Sequence, residues 1–426
     1  MSTIQGLPMA EPEEVGLSSE RLARIRPAMQ RYIDRQEAPS SVTLVARHGK
    51  IAHLEVQGMM DVEARVPIAR DSIFRMWSMT KPITSVAVLM LYEEGHFLLD
   101  DPISKFIPAF KNPVVIVPEP PRGEARYWPP GLVFTAPAAR EITIRDCLTH
   151  TSGLATPRRT PVALLGSLAE AIRGTTAMPL EDGTVKPIGT VPEIVKRLAK
   201  VPLSFQPGTA WEYGRDFDVL STLVEVVSGQ TLDEFYKERI FEPLGMHDTS
   251  FYLPEEKLSR FTTAYTWDKG WKIRVYDRPA TSEKVRGPNV LFSGLGDFGG
   301  VLSTVLDYAR FAQMLLNGGV LDSVRLLGRK TVELMTMNHT GDLYIYLRGR
   351  GWGYGLGVGV HTDLVGTPAV GSVGAYGWGG AAGTYYFADP KEDMLGLAFT
   401  QVFGYGYKPG FFINREFEKL AYQALL

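Results

Sequence analysis

Met76-Trp77-Ser78-Met79-Thr80-Lys81-Pro82-Ile83-Thr84-Ser85-Val86-Ala87-Val88-Leu89-Met90-Leu91-Tyr92 is the stretch on which the fold turns. It is apolar on nearly every helical face, which predicts a helix from Met76 to Tyr92 buried on all sides. Ser78 and Lys81 stand near its start, three residues apart, so their side chains share one face. A Ser-x-x-Lys spacing arises about once by chance in a chain of this length, and a serine here can simply cap the helix. The lysine fits that bland reading less well. In the first turn it faces the helix's positive end, and burial beside Val86–Met90 works against the charged form. Both favour the neutral amine that a serine nucleophile needs as its base.

Outward from this helix, Leu22, Ile25, Met29 and Ile33 recur at helical spacing, with Ser18 and Ser19 as caps and Pro27 as a kink. Ser41–Ala46 and Ile51–Val56 read as strands joined through His48-Gly49-Lys50 into a hairpin. Between Phe97 and Ser282 helical patterns dominate, at Thr143–Leu148, Val191–Leu198, Phe217–Ser228 and Leu232–Ile240. The seven prolines of Pro113–Pro137, with Tyr127-Trp128 among them, mark a functional wall or lid. A further helix runs from Ser303 to Asn317, with Thr304 and Asp307 spaced like a capping box and Gly318-Gly319 as the stop. Gly355–His361, Gly383–Ala388 and Met394–Gln401 then read as strands. A closing helix carries Ile413, Phe417, Leu420, Ala421, Ala424 and Leu425 on one face. Strands at both ends and helices between predict an α+β fold, with an antiparallel sheet built from both termini. The expected division is an α/β lobe of 1–75 and 283–426, and a mainly helical lobe of 76–282.

Composition excludes several classes. With 45 Lys plus Arg against 47 Asp plus Glu, the net charge of −2 offers no basic field for nucleic acid. A single cysteine, Cys147, rules out an internal disulfide or a multi-cysteine metal site. The 7 histidines are scattered, with no His-Glu-x-x-His, so no metal or other cofactor is expected. Gly294-Leu295-Gly296-Asp297-Phe298-Gly299 has dinucleotide-loop spacing, but the helix starts only near Thr304, so a tight turn is the better reading. No G-x-S-x-G or P-loop occurs. His150-Thr151-Ser152-Gly153 has no obvious third member for a triad, and His150 reads as a hydrogen-bonded histidine at a helix end. No signal-like start and no run long enough to span a bilayer are seen, so a soluble, cytoplasmic protein without membrane contacts is expected.

Two further segments give Ser78 and Lys81 their context: Trp211-Glu212-Tyr213-Gly214-Arg215-Asp216-Phe217-Asp218, opening a helix, and Tyr376-Gly377-Trp378-Gly379-Gly380-Ala381, just before a strand. Ser-x-x-Lys, then a tyrosine at a helix start, then a Gly-rich approach to a strand is the order of serine β-lactamases and penicillin-binding proteins. From about residue 14 to 426 the chain resembles the class C β-lactamase-like group, and within it family VIII carboxylesterases and related acyltransferases. Leu148–Leu154, Pro243–Met246 and Asp307–Phe311 are also similar to segments of that group.

The resemblance implies Ser78 as nucleophile, Lys81 and Tyr213 as the proton-transfer pair, and the backbone N–H groups of Ser78 and Ala381 as the oxyanion hole. The departures from the family pattern are informative. The family's Tyr-x-Asn becomes Tyr213-Gly214-Arg215, so the amide is missing, and Arg215 or Asp218 takes part of that space. Its Lys-Thr-Gly becomes Trp378-Gly379-Gly380, replacing a carboxylate-binding cation by an apolar indole. The expectation is a serine esterase for neutral, short-to-medium acyl esters, with Tyr127, Trp128 and Trp378 as apolar walls and Asp218, Gly379 and Gly380 at the substrate. A β-lactamase or D-alanyl peptidase using the same serine, an acyltransferase, and a binding protein that has lost catalysis are the alternatives.

Overall fold

The computed structural model describes residues 6–117, 133–171, 190–282, 293, 300–367 and 369–426. Its centre is an eight-stranded sheet. Strands β1 (Ser40–Arg47) and β2 (Lys50–Asp61) form the expected hairpin. Its two turn residues, His48 and Gly49, have φ of 53° and 73°. Left-handed conformation at both positions is what a two-residue turn needs to match strand twist, which explains the glycine. The remaining strands are β3 (Val66–Pro67), β4 (Trp352–Tyr354), β5 (Gly359–His361), β6 (Tyr376–Gly379), β7 (Tyr385–Asp389) and β8 (Met394–Phe399). They lie in the order β4-β5-β6-β7-β8-β1-β2-β3, each pair antiparallel. The first strand therefore pairs with the last, Val42 opposite Phe399 and Arg47 opposite Met394. This is the α+β sheet made from both termini that the strand pattern predicts.

Alternation along the strands supplies two buried faces. Val45, Tyr385, Phe387, Met394 and Ala398 pack under α1 (Ile25–Asp34) and the closing helix α6 (Ile413–Tyr422). Leu44, Tyr386, Leu395 and Leu397 belong to the larger core on the other face, with α2 (Thr80–Glu93), α3 (Ile144–Thr149), α4 (Asp216–Ser228) and α5 (Val305–Leu316).

Several boundaries differ from the sequence reading, for identifiable reasons. Residues 77–79 form a 3-10 turn, with Trp77 at φ 46°, and the α-helix begins only at Thr80. Pro82 decides this: in third position its missing N–H is one of the first-turn orphans, whereas a start at Met76 would cost an interior bond. The N-terminal pattern likewise splits into Ser19–Leu22 and α1, leaving Pro27 third in its helix. Gly355–Val358 is a turn between β4 and β5, where Gly357 (φ 88°) donates to the Leu148 carbonyl. Tyr376–Gly379 is itself a strand, not the approach to one. Val114–Val117 pairs with Phe134–Pro137, so ordered strands bound the proline-rich stretch. Thr304 caps α5 by accepting from Asp307 N–H, but the Asp307 carboxylate serves Asp248 N–H and Thr249 Oγ1 instead of closing a capping box.

Candidate active site

Three elements converge on Ser78. The first is the 3-10 turn leading into α2, which leaves Ser78 partly exposed between buried Trp77 and Met79. One turn on, Lys81 is 0% exposed, and its Nζ donates to Ser78 Oγ at 3.2 Å. The second element is the segment before α4. It sets the Tyr213 ring 4.6 Å from Lys81 Nζ, with the Phe217 ring 5.6 Å away. The third is β6, where Trp378 Nε1 donates to Tyr213 Oη at 3.2 Å. The indole is 3% exposed and packs on Tyr354 and on the Arg348 guanidinium. Trp378 is thus a buried neutral donor to the tyrosine rather than an open apolar wall.

The end of β6 has a free edge. Pairing with β5 stops at Gly359–Gly377, so among the described residues Trp378 to Ala381 meet no strand on that side. Among the described residues, neither the Ser78 nor the Ala381 N–H has an acceptor in the chain. Gly380 allows the two segments to meet, because a Cβ there would lie 2.4 Å from the Met76 carbonyl and 2.2 Å from Thr384 Oγ1. Gly379 and Ala381 are partly exposed beside it.

A buried polar brace holds Tyr213 from behind, and the sequence reading missed it. His150, left-handed at the end of α3 (φ 57°), pairs through Nδ1 with Asp216 Oδ2 at 2.8 Å. Ser152 Oγ donates to the other Asp216 oxygen. The His150 ring stands 4.6 Å from the Tyr213 ring, and Glu212 N–H donates to the His150 carbonyl. Burial lowers the His150 pKa, opposed by Asp216 and reinforced by Lys81. Asp216 thus supplies the third member, but it sits between serine and histidine instead of behind the histidine. With Ser152 buried, the trio is a brace and not a nucleophile. Asp216 lay within the quoted segment, and only the fold shows that it faces His150.

Asp218 is 0% exposed, paired with Arg215 at 3.2 Å, and accepts from Ser293. The two residues expected to replace the family's amide thus hold each other. Tyr127, Trp128 and Gly294–Gly299 lie outside the described residues. Among the described residues no group of three or more His, Cys, Asp or Glu could hold a metal ion, and no helix is long and apolar enough to cross a membrane.

A lysine-bonded serine beside a tyrosine and a strand edge is the arrangement of a serine hydrolase of the β-lactamase and penicillin-binding-protein type. A family model described as Beta-lactamase matches residues 25–409, and the chain belongs to that family. It is 33% identical over 376 residues to Protein Rv1367c of Mycobacterium tuberculosis, covering 85% of each chain. It is 31% identical over 271 residues to Esterase EstB of Burkholderia gladioli, covering 63% of this chain and 60% of that one. The solved structure of "EstCE1, a hydrolase with promiscuous acyltransferase activity" superposes with a TM-score of 0.75 at 24% identity, covering 95% of this chain and 99% of that one.

Proposed function

We propose that this serine hydrolase is a carboxylesterase acting on neutral, short-to-medium acyl esters through an acyl-enzyme on Ser78. The observation that carries the proposal is the bond from the Trp378 indole to Tyr213 Oη. A neutral donor occupies the position where the family's lysine would attract a substrate carboxylate, so an uncharged ester meets no unsatisfied cation there. The similarity to Esterase EstB supports the same reading.

In this mechanism the Lys81/Tyr213 pair takes the Ser78 proton as Oγ attacks the ester carbonyl. The Ser78 and Ala381 N–H groups stabilise the oxyanion, and collapse expels the alkoxide, which recovers the proton. Water, activated by the same pair, then attacks the acyl-enzyme and releases the acid. Gly379 and Gly380 give the ester room along the strand edge, between a lobe of residues 1–75 and 283–426 and a helical lobe of 76–282. Acyl transfer to an alcohol is the second reading, because EstCE1 is described as a hydrolase with that additional activity and one acyl-enzyme serves both reactions.

Turnover of p-nitrophenyl butyrate against that of a cephalosporin tests the proposal. The ester should be favoured by at least about a hundredfold in kcat/KM, the scale on which a missing charged contact discriminates. A cephalosporin preference would overturn it in favour of a β-lactamase or D-alanyl peptidase.

A further inference from the structure

A cavity of about 350 Å³ lies where the loop 405–412 and the start of α6 meet the edge of the sheet. That volume falls in the range of small-molecule sites. Its walls include Arg348, Trp352, Tyr385, Tyr405, Asn414 and Arg415. Asn414 is the key residue. It is 7% exposed, and among the described residues neither its Oδ1 nor its Nδ2 has a hydrogen-bond partner. Buried amides are ordinarily satisfied, so one in the wall of a cavity with both atoms covered and unmet points to a missing partner that a turn of this side chain would reach.

Two features give that partner a negative charge. The ten-residue helix α6 starts without a side-chain cap at Phe412, and its first helical bond is Glu416 N–H to the Phe412 carbonyl. The N–H groups of 413–415 and the positive end of the helix dipole therefore lie at the cavity end, while the first-turn acid Glu416 is engaged by Arg31 and Tyr32. The Arg348 guanidinium is held among the rings of Trp378, Trp352 and Tyr385, at 4.7, 4.9 and 5.5 Å. Among the described residues, no carboxylate lies within ion-pair distance of Arg348 or Arg415. Among the described lining residues the one acid is Glu418, which accepts from Tyr385 Oη at 3.0 Å. Its pKa, raised by burial, is lowered by that bond and by Arg348 and Arg415. Lys408 is committed to Glu37, and Lys419 is exposed.

We propose that this cavity binds an organic carboxylate: a planar anion between Arg348, Asn414 and the start of α6, with an apolar body against Trp352, Tyr385 and Tyr405. The site lies behind the one at Ser78 and adjoins it through the Arg348–Trp378 stack and through Tyr385 and Tyr405, which lie against Gly379. Its existence does not depend on the ester chemistry.

Calorimetric titration of the full chain with benzoate tests the assignment, with neutral benzamide and inorganic phosphate as comparisons. Benzoate should bind one equivalent at least tenfold more tightly than either. Arg348→Gln and Asn414→Leu should each weaken it at least tenfold, with circular dichroism unchanged. Benzoate binding no tighter than benzamide, or not at all, overturns the site, and phosphate binding equally well overturns the organic ligand. If Arg348→Gln fails to fold, Asn414→Leu decides alone: full benzoate affinity in that variant refutes the site.

Discussion

At the residue scale, the replacement of a cation by Trp378 has measurable consequences. Trp378→Phe keeps the ring but removes the donor to Tyr213 Oη. One hydrogen bond is worth about 1 kcal/mol, so kcat for a neutral ester should fall about fivefold with KM little changed. An unaltered kcat would show that the bond has no part in turnover. Ser78, Lys81 and Tyr213 were legible because their spacing and order are local patterns. The role of the Trp378 N–H was not, since nothing in Tyr-Gly-Trp-Gly says where an indole nitrogen points. His150 was legible as a helix-end histidine, whereas its partner 66 residues on was not.

At the element scale, the approach of β6 to the turn before Ser78 depends on Gly380. A methyl group there meets the Met76 carbonyl at 2.4 Å, so Gly380→Ala must push the strand end away. The Ala381 N–H moves with it, and losing one oxyanion donor costs about 10²–10³ in kcat. We expect at least about a hundredfold loss of ester turnover with the sheet intact by circular dichroism. A variant with full activity would remove Ala381 from the account.

Helix α5 carries a pH-dependent contribution. Burial raises the Asp307 pKa to about 6, against the bonds from Thr249 and Asp248 that lower it. The folded state therefore holds this proton more tightly than the unfolded chain. Its stabilisation is full below about pH 4 and is lost as pH rises through 6. Both bonds fall on one oxygen, so an amide can accept them equally. Asp307→Asn should raise stability at pH 7–8 by about 2–3 kcal/mol and by little at pH 4. A Tm difference from wild type that does not change with pH would contradict this. The cap at Thr304 was readable from sequence, but the turn its aspartate serves was not, because Asp248 and Thr249 arrive from another part of the chain.

At the scale of the whole molecule, the sheet from both termini was legible from alternating runs at the two ends of the sequence. The register Val42–Phe399 was not, since many registers bury an apolar face equally well. Helix boundaries shifted where Pro82 and Pro27 took the third position of their helices. That shift has functional meaning. It leaves Ser78 on a 3-10 turn outside the helix proper, where its N–H is free to face a substrate while Lys81 stays buried beneath it. The account's central claim is therefore a covalent one. Intact and peptide mass spectrometry after quenching p-nitrophenyl butyrate turnover in acid tests it most directly. A butyryl group should appear on the peptide carrying Ser78, and Ser78→Ala should show neither adduct nor turnover while keeping its melting temperature. An adduct on another residue, or ester hydrolysis retained by Ser78→Ala, would contradict it.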